Sequence, residues 1–393
     1  MFESLPEPKA DAILALMMAF RADERTDKID LGVGIYKDVN GKTPVMQAVK
    51  QAETQLLKSQ DTKAYVSPTG SATFCAAMIT QVFGETADVS RIRAVQSVGG
   101  SGALRVIADL LKDARPEAKL WLSDPTWPNH VPLMTAAGHT LERYPYYDAA
   151  LGSVDFKGMI DTLSGAASGD VVLLHGCCHN PTGADLTMDQ WRQVAALIIE
   201  KELFAFVDLA YQGFGDGFEE DAAAVRMLAE TLPEMAIAAS CSKNLGLYRE
   251  RVGAAIVVGR NEDDAIRAHG RLTTVIRSNY SMPPDHGANT TEMVLTDAAL
   301  NQNWREELES MRVRMVGLRQ AFADAMRKRT NSDRFDYIAG QRGMFSRLPL
   351  NSEQIARLRD EFGIYLVGDG RINVAGLPDN DIDSLADAIS SVL

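Results

Sequence analysis

The sequence is short of cysteine, of basic charge and of long apolar runs, and each shortage excludes a class of protein. Only four of its 393 residues are cysteine and none stands in a CxxC pair, which excludes a disulfide scaffold and favours reduced thiols. The formal net charge of -13 argues against nucleic acid or an anionic membrane surface as the main partner. No apolar run approaches the roughly 20 residues that a membrane-spanning helix needs.

The amino-terminal residues 1–6 contain acid and proline where a signal peptide would have basic residues followed by apolar ones. We therefore expect a cytoplasmic protein that has neither a membrane nor a nucleic acid as partner. Hydrophobic residues make up 46% and charged residues 24% of the chain, which is ordinary for a globular protein. At roughly 100–200 residues per domain, the length predicts two or three structural units.

Short apolar runs bounded by turn residues recur along the chain and alternate with helical patterns. Nearly continuous hydrophobicity over such a short run is typical of a strand buried on both faces of a parallel sheet. The helical patterns cover residues 103–113 and 188–200. This alternation predicts an α/β fold with helices on both faces of the sheet. The predicted strands are residues 92–98, 119–123, 171–175, 203–208, 235–239 and 253–258.

The carboxyl-terminal part of the chain has a different pattern. Residues 352–362 are predicted to form a helix opened by Ser352, and two short extended segments follow at 364–367 and 371–375. A last helix is predicted at 382–392. These elements indicate a smaller α+β unit.

A long helix at about residues 304–329 is predicted to connect the two units, after a break at Pro283-Pro284. The last helix is expected to take its N-cap from residues 379–381, which are Asp, Asn and Asp.

Because active sites of open α/β sheets lie at the carboxyl ends of strands, the residues that end each predicted strand are the candidates for chemistry. The first strand ends in Val98-Gly99-Gly100-Ser101-Gly102 before a helix, an arrangement suited to a phosphate. A dinucleotide fingerprint is disfavoured, since Arg105 stands in the third glycine position. A nucleophile elbow using Ser101 with a late histidine such as His286, or a plain strand–helix turn, stays open.

The strand at 171–175 is followed by Cys177, Cys178, His179 and Asn180. The Asn180 amide can point into a cleft at the carboxyl ends of the predicted strands. A metal site is disfavoured because no second pair of ligands stands at a metal-binding spacing, and buried thiols commonly act as small apolar groups. We therefore expect no metal.

Asp208 closes an apolar strand, with Tyr211 three residues further on. A carboxylate is costly to bury unless a cation faces it, and a protonated pyridine nitrogen is one such cation. A capping or turn aspartate is the alternative.

Lys243 follows the apolar run at 235–239 in a neighbourhood of small residues. Such a lysine can have a depressed pKa and form a Schiff base, although most lysines are simply solvated surface residues. Arg251, a few residues later, can balance the charge of a phosphate.

Together these four strand ends resemble the class I aminotransferases of pyridoxal-5′-phosphate (PLP) fold type I. The resemblance is to the aspartate and aromatic amino acid aminotransferase subgroup, and above all to bacterial aromatic amino acid aminotransferases. It extends from about Ile29 to Leu377. The most specific runs are Ser123-Asp124-Pro125-Thr126-Trp127-Pro128-Asn129-His130, His179-Asn180-Pro181-Thr182-Gly183, Asp208-Leu209-Ala210-Tyr211-Gln212-Gly213-Phe214 and Ser242-Lys243-Asn244.

The resemblance implies a large PLP-binding domain at residues 45–305, built on a mostly parallel seven-stranded sheet covered by helices. A smaller α+β domain would combine residues 1–44, which include a mobile segment, with 306–393. The partners implied are an amino acid, a 2-oxo acid and a second copy of the chain, in a homodimer with shared active sites.

The same resemblance implies the residues that hold PLP. Lys243 would bind the cofactor covalently and act as the proton shuttle, and Asp208, supported by His130, would pair with the pyridine N–H. Tyr211 and Asn180 would hydrogen-bond the phenolic oxygen. Trp127 would stack on the ring; the phosphate would be held by Gly100, Ser101, Ser240, Arg251 and, from the other subunit, Tyr65.

For the substrate, the resemblance implies that Arg371 clamps the α-carboxylate in a bidentate pair and that Arg277 crosses the dimer interface to meet a distal carboxylate. Gly34 would lie in the mobile segment that closes over the substrate, and Trp127 and Asn180 would also contact it. The chain departs from the common pattern at Met282, which puts the substrate preference in doubt, and at Gly99, which should cost little.

The activity implied is PLP-dependent transamination between an L-amino acid, aromatic or aspartate or both, and a 2-oxo acid such as 2-oxoglutarate. It would proceed by a ping-pong course through pyridoxamine phosphate. The alternatives are a strict aspartate aminotransferase, a PLP-dependent β-lyase or decarboxylase, a serine hydrolase using Ser101, and a non-enzymatic regulator.

Overall fold

Seven strands form the central sheet of the computed structural model, which describes residues 2–5, 12–85, 87–379 and 381–393. Their spatial order, with labels following the chain, is β1-β7-β6-β5-β4-β2-β3. All neighbours are parallel except β7, which is antiparallel to both β1 and β6. The strands are β1 Ile92–Val98, β2 Lys119–Asp124, β3 Thr140–Pro145, β4 Val171–His175, β5 Phe204–Leu209, β6 Met235–Ser240 and β7 Val252–Val258.

The predicted α/β fold with a mostly parallel seven-stranded sheet is confirmed. Six strands coincide with the predicted runs to within one residue at each end. The strand that the sequence did not predict is β3, which lies at an edge of the sheet. It has one neighbouring strand and only Tyr144 is buried, so its residues need not form the continuous apolar run that identifies a central strand.

Helices cover both faces of the sheet. The predicted helix at 188–200 is found with those bounds and is opened by a capping box between Thr187 and Gln190. The helix predicted at 103–113 begins at Gly99, because the glycines that follow β1 already form its first turn. The α-helices are Ala12–Ala22, Gln47–Ser59, Ala72–Phe83, Gly99–Ala114, His130–Ala136, Phe156–Leu163, Met188–Glu200, Ala223–Thr231, Glu262–Asn279, His286–Thr296, Ala298–Thr330, Tyr337–Gly340, Ser352–Phe362 and Ile382–Val392.

The sheet separates two apolar layers. Leu173 and Phe206 pack into the layer on one face, and the alternate residues Val172 and Val207 pack into the layer on the other. Both faces of the central strands are therefore buried, which is why they are continuously apolar in sequence. None of the helices in the described residues is both long and apolar enough to span a membrane.

A third apolar cluster joins the two ends of the chain. It contains Leu31 from the amino-terminal region together with Phe322, Leu358 and Ile389 from the last part of the chain. Short two-stranded sheets lie in or beside the small unit that this cluster forms. The domain boundaries predicted from the sequence remain predictions. The strand pairs are Ile29–Asp30 with Ile364–Tyr365, Phe345–Arg347 with Arg371–Asn373, and Tyr147–Asp148 with Ser153–Val154.

Two helices of this region begin differently from the prediction. The long helix begins at Ala298, six residues before the predicted start, because the Asp297 side chain accepts the N–H groups of Ala299 and Leu300. Helix Ser352–Phe362 is opened by Asn351 rather than by Ser352, through a capping box with Gln354.

The helix predicted at 382–392 is confirmed as Ile382–Val392, and the break at Pro283-Pro284 lies between two helices as expected. Of the N-cap candidates, Asp381 occupies the N-cap position without a side-chain capping bond. Asn380 lies outside the described residues.

A buried arginine ties the long helix to the segment that precedes Arg371. Arg319 is 1% exposed and forms no ion pair with the described carboxylates; burial lowers its pKa to about 10. Its guanidinium instead satisfies oxygen atoms of one short segment. The acceptors are the carbonyl oxygens of Ile338, Arg342, Gly343 and Phe345 and the hydroxyl of Ser346.

Replacement of Arg319 by methionine should lower the free energy of unfolding by roughly 3 kcal/mol or more, since several buried carbonyl groups lose their donor. Equilibrium denaturation in urea measures this. The matched control is Arg357→Met, which removes an exposed arginine paired with Glu361 four residues along a helix and should leave stability nearly unchanged. Equal midpoints for the two variants would contradict the assignment.

Candidate active site

A cleft with a volume of about 240 Å³ opens at the carboxyl ends of the parallel strands. Ten of the residues predicted from the sequence line it together. They are Gly34, Gly100, Ser101, Trp127, Asn180, Asp208, Tyr211, Ser240, Lys243 and Arg251. The convergence follows from the topology, because β1, β4, β5 and β6 all end at this edge.

One side of the cleft is suited to an anion. Helix Gly99–Ala114 starts there, so its first N–H groups and the positive end of its dipole face the cleft beside Ser101 and Ser240. Arg251 donates to the Tyr248 carbonyl at 2.8 Å and forms no ion pair with the described carboxylates. Gly99 has φ +65, and a Cβ there would lie 2.6 Å from Nη2 of Arg251. Glycine is thus what lets this guanidinium approach the start of the helix.

The opposite side is built on the buried carboxylate of Asp208. Its Oδ2 lies 3.1 Å from Nε2 of His130, whose Nδ1 lies 2.8 Å from the hydroxyl of Thr126. Nε2 of His175 lies 3.1 Å from the same hydroxyl. With neutral imidazoles every contact has one donor: His175 donates to Thr126, Thr126 to His130, and His130 to Asp208.

The protonation of this chain follows from its environment. Burial alone would raise the pKa of Asp208, but the hydrogen bond from His130 and the nearby ammonium of Lys243 outweigh it, so the carboxyl pKa lies below its usual value. Burial lowers the pKa of His175 to about 3, which keeps that imidazole neutral. Asp208 therefore stays a carboxylate, and its other oxygen remains available to the cleft.

Lys243 lies on the floor of the cleft, with Nζ 4.6 Å from the centre of the Tyr211 ring. Burial lowers the pKa of its ammonium, Arg251 lowers it further, and Asp208 opposes them. Burial also raises the pKa of the Tyr211 phenol well above its usual value, so the phenol stays protonated. Nδ2 of Asn180 donates to the Tyr211 oxygen at 3.4 Å. The cleft thus holds an activated amine beside a phenol that can donate.

Arg371 is 4% exposed and borders the cleft through Asn180. Its Nη1 contacts Oδ1 of Asn180 at 3.5 Å and its Nη2 donates to the Gly32 carbonyl at 3.0 Å, while Nε is buried without a partner. The Phe345 ring lies 4.5 Å from the guanidinium carbon. This buried cation has no carboxylate partner among the described residues, an arrangement suited to an incoming carboxylate.

Two predicted residues lie outside the cleft of their own chain. Tyr65 is 95% exposed, and Arg277 is exposed at the last turn of its helix, where it donates to the hydroxyl of Ser281. Met282 is partly exposed in the same turn. One chain alone therefore does not bring Tyr65 or Arg277 to the other site residues.

Some site residues were not predicted. Both Thr126 and His175 had a local signal: His175 ends a strand that the sequence singled out, and Thr126 stands in one of the runs that carry the resemblance. Tyr248 lines the cleft, and its hydroxyl oxygen accepts the backbone N–H of Tyr36 at 2.9 Å. Phe345 comes from the carboxyl-terminal unit, far along the chain, and no local pattern indicates its place beside Arg371.

The described part of the chain supports neither of two alternatives, a metal site and a serine nucleophile. Cys177, Cys178 and Asp221 have ligand atoms within 4.8 Å of one another, but Asp221 already accepts three backbone N–H groups, which accounts for its burial. No hydrogen bond joins Ser101 to His286, which is exposed, so the described residues hold no Ser–His pair at this turn.

Comparisons with known proteins agree with this geometry. Residues 26–389 match the family described as aminotransferase class I and II. An aromatic-amino-acid aminotransferase of Paracoccus denitrificans is 48% identical over 392 residues, and an aspartate aminotransferase of Escherichia coli (strain K12) is 44% identical over 396; each alignment covers 100% of both chains. The solved aromatic-amino-acid aminotransferase of Burkholderia pseudomallei, covalently bound to pyridoxal phosphate, matches with a TM-score of 0.98 and 41% identity over 100% of this chain and 99% of that one.

The neutral His175 gives the protein a specific acid sensitivity. Its folded pKa of about 3 lies below the ordinary value of 6.5, so the unfolded chain takes up the proton first and stability is lost as the pH falls between these values. Replacing His175 by glutamine removes this loss. The stability difference between wild type and variant should therefore shrink by about 1.4 kcal/mol per pH unit between about pH 6 and pH 4.

Urea denaturation at several pH values measures that slope. The exposed His286, replaced by glutamine, is the matched control and should give a curve parallel to wild type. A parallel curve for His175→Gln as well would show that His175 is not held neutral.

Proposed function

Since the chain belongs to the aminotransferase class I and II family, we propose that it accepts both aromatic amino acids and aspartate, as a homodimer whose two active sites share residues. The resemblance inferred from the strand ends is confirmed: the protein is a PLP-dependent aminotransferase. The serine hydrolase, the β-lyase and the non-enzymatic regulator are set aside. The choice between dual specificity and a strict aspartate aminotransferase belongs to the proposal, as does a cytoplasmic location.

The residues of the cleft fit PLP. The start of helix Gly99–Ala114 and Arg251 would hold the phosphate, and the free oxygen of Asp208, which also lines the cleft, would accept the pyridine N–H. Trp127 lines the cleft between them. We assign Gly100, Ser101, Ser240 and Arg251 to the phosphate on these grounds.

Bound PLP supplies an electron-poor ring that accepts electron density from the α-carbon of the substrate. Arg371 binds the α-carboxylate and thereby orients the α-carbon. Lys243 is placed to take the α-proton on Nζ, and burial, which lowers the pKa of its ammonium, favours the neutral amine that this step needs. Asp208, held as an anion by His130, would balance the positive charge of a protonated pyridine ring. Tyr211 and Asn180, which lie close to Lys243, would donate hydrogen bonds to the phenolic oxygen of the cofactor.

The observation that carries the proposal is the placement of the two candidate carboxylate-binding arginines. Arg371 lies buried beside its own cleft, whereas Arg277 lies exposed outside it. A carboxylate common to all amino acids would therefore meet a fixed cation, and a distal carboxylate would meet a cation supplied by the partner. An arginine on an exposed turn can move aside for an aromatic side chain, and Met282 in that turn offers apolar surface.

Replacement of Arg277 by leucine should act asymmetrically on the two substrate classes. For aspartate it leaves a substrate carboxylate unpaired, which costs roughly 2–5 kcal/mol or about two to four decades in kcat/KM. For phenylalanine no charge is left unpaired, so kcat/KM should fall by less than about one decade or rise. The half-reaction kinetics of both substrates measure this.

Equal losses for the two substrates would mean that Arg277 does not contact the substrate side chain. A wild-type enzyme that rejects phenylalanine would replace dual specificity by a strict aspartate aminotransferase.

If the two active sites share residues, two variants that are each inactive should regain activity in mixed dimers. Lys243→Ala removes the catalytic amine but keeps Arg277, and Arg277→Leu keeps the amine. When equal amounts of the two variants exchange subunits at random, about half of the dimers are mixed, and each mixed dimer has one intact site out of two. About a quarter of the wild-type rate with aspartate should therefore return. Mixing without subunit exchange is the control, and no recovery after proven exchange would place Arg277 in its own subunit's site.

A further inference from the structure

Residues 31–35 continue from the amino-terminal strand and pass the cleft at Gly34, and among them only Leu31 forms backbone hydrogen bonds with strand residues, Tyr365 and Asn373. Strand pairing of the amino-terminal region ends at Asp30, which pairs with Tyr365. Gly34, within the segment, lines the cleft. The carbonyl groups of Gly32, Val33 and Ile35 therefore need donors from elsewhere; within the segment only the N–H of Ile35 bonds to one of them, that of Val33.

One fully buried side chain supplies two of those donors. Asn373 is 0% exposed, and its Nδ2 donates to the carbonyl oxygens of Val33 and Ile35, both at 2.7 Å. Its Oδ1 accepts the N–H of Ala375 at 3.1 Å, and its backbone N–H donates to Leu31 at 2.7 Å. The amide nitrogen is thus committed to this segment, and the amide oxygen to the turn that follows Asn373.

Arg371 holds the same segment in a different way. It stands two residues before Asn373 on one short strand, so both side chains leave the same face. Its Nη2 donates to the Gly32 carbonyl. A carboxylate is a stronger acceptor for a guanidinium than a neutral carbonyl, so a bound carboxylate can replace Gly32 at Arg371. The bonds from the neutral Asn373 are not subject to that exchange.

The fit of the segment leaves little freedom once it is anchored. Asn373 pairs with Phe345 across the short antiparallel sheet, and the Phe345 ring lies against Gly34. A Cβ on Gly34 would be only 2.7 Å from Cζ of Phe345. The close packing of Gly34 on the Phe345 ring therefore depends on how near Asn373 holds residues 31–35 to the short sheet.

We propose that Asn373 is a positioning residue that holds residues 31–35 over the cleft while Arg371 exchanges the Gly32 carbonyl for the α-carboxylate of the substrate. The inference rests on the proposed role of Arg371. Every substrate has an α-carboxylate, so loss of the anchor should weaken the binding of all substrates by one factor. This differs from the side-chain selectivity expected of Arg277.

The test uses the PLP-loaded enzyme and two unreactive probes, succinate and 3-phenylpropionate. Asn373→Ala should raise both dissociation constants on the order of tenfold, because two buried hydrogen bonds are lost, and should leave their ratio unchanged. Hydrogen exchange of residues 31–36 should accelerate while that of β4, β5 and β6 stays as in wild type. The absorption spectrum of the bound cofactor should not change.

A second variant guards against a general folding defect. Asn373→Asp keeps the acceptor for the Ala375 N–H but has no donor for Val33 or Ile35, so it should weaken the probes as well. The matched control is Asn351→Ala, which removes another capping asparagine of the same unit, far from residues 31–35 in sequence. It should bind both probes as wild type does.

Unchanged probe binding and hydrogen exchange in both Asn373 variants would overturn the inference, as would a change in the ratio of the two constants. Arg371→Lys separates this failure from a failure of the proposed function. If that variant also binds both probes normally, the assignment of the carboxylate site is wrong. If it weakens both while the Asn373 variants do not, only the role of Asn373 fails.

Discussion

A carboxylate buried at the end of an apolar strand, that of Asp208, is the interaction on which the rest of the site depends. An ionised carboxyl group is costly to remove from water unless donors and cations surround it. His130, Thr126 and His175 supply a continuous chain of donors drawn from the ends of β2 and β4. The need to stabilise one charge therefore fixes three neighbouring strand ends relative to each other.

The charges of the cleft contrast with those of the protein as a whole. The chain has a net charge of -13, yet Arg251 lines the cleft and Arg371 borders it, and neither forms an ion pair with a described carboxylate. Burial makes unpaired cations costly, so the fold holds them in place with carbonyl groups, as at Tyr248 and Gly32. These guanidinium groups are consequently available to phosphate and carboxylate groups, whereas a guanidinium already paired with a protein carboxylate would not be.

Much of this could be predicted from the sequence, for a physical reason. Central strands are apolar on both faces, and parallel strands bring residues such as Asn180, Asp208 and Lys243 to one edge. The edge strand β3 has no such signal. The roles of Phe345 and Asn373 could not be predicted, because these residues meet Gly34 and the segment around it only through the packing of the small unit. The partner-dependent roles of Tyr65 and Arg277 remain predictions.

The small unit also has a consequence for biosynthesis. Ile29 pairs with Ile364, so the amino-terminal strand finds its partner only when almost the whole chain has left the ribosome. All seven strands of the sheet, which end at Val258, emerge earlier. The residues of the phosphate cradle and of the Asp208 network are thus all synthesised before Arg371. The order of synthesis makes the residues that would hold the cofactor available before the one that would bind the substrate carboxylate.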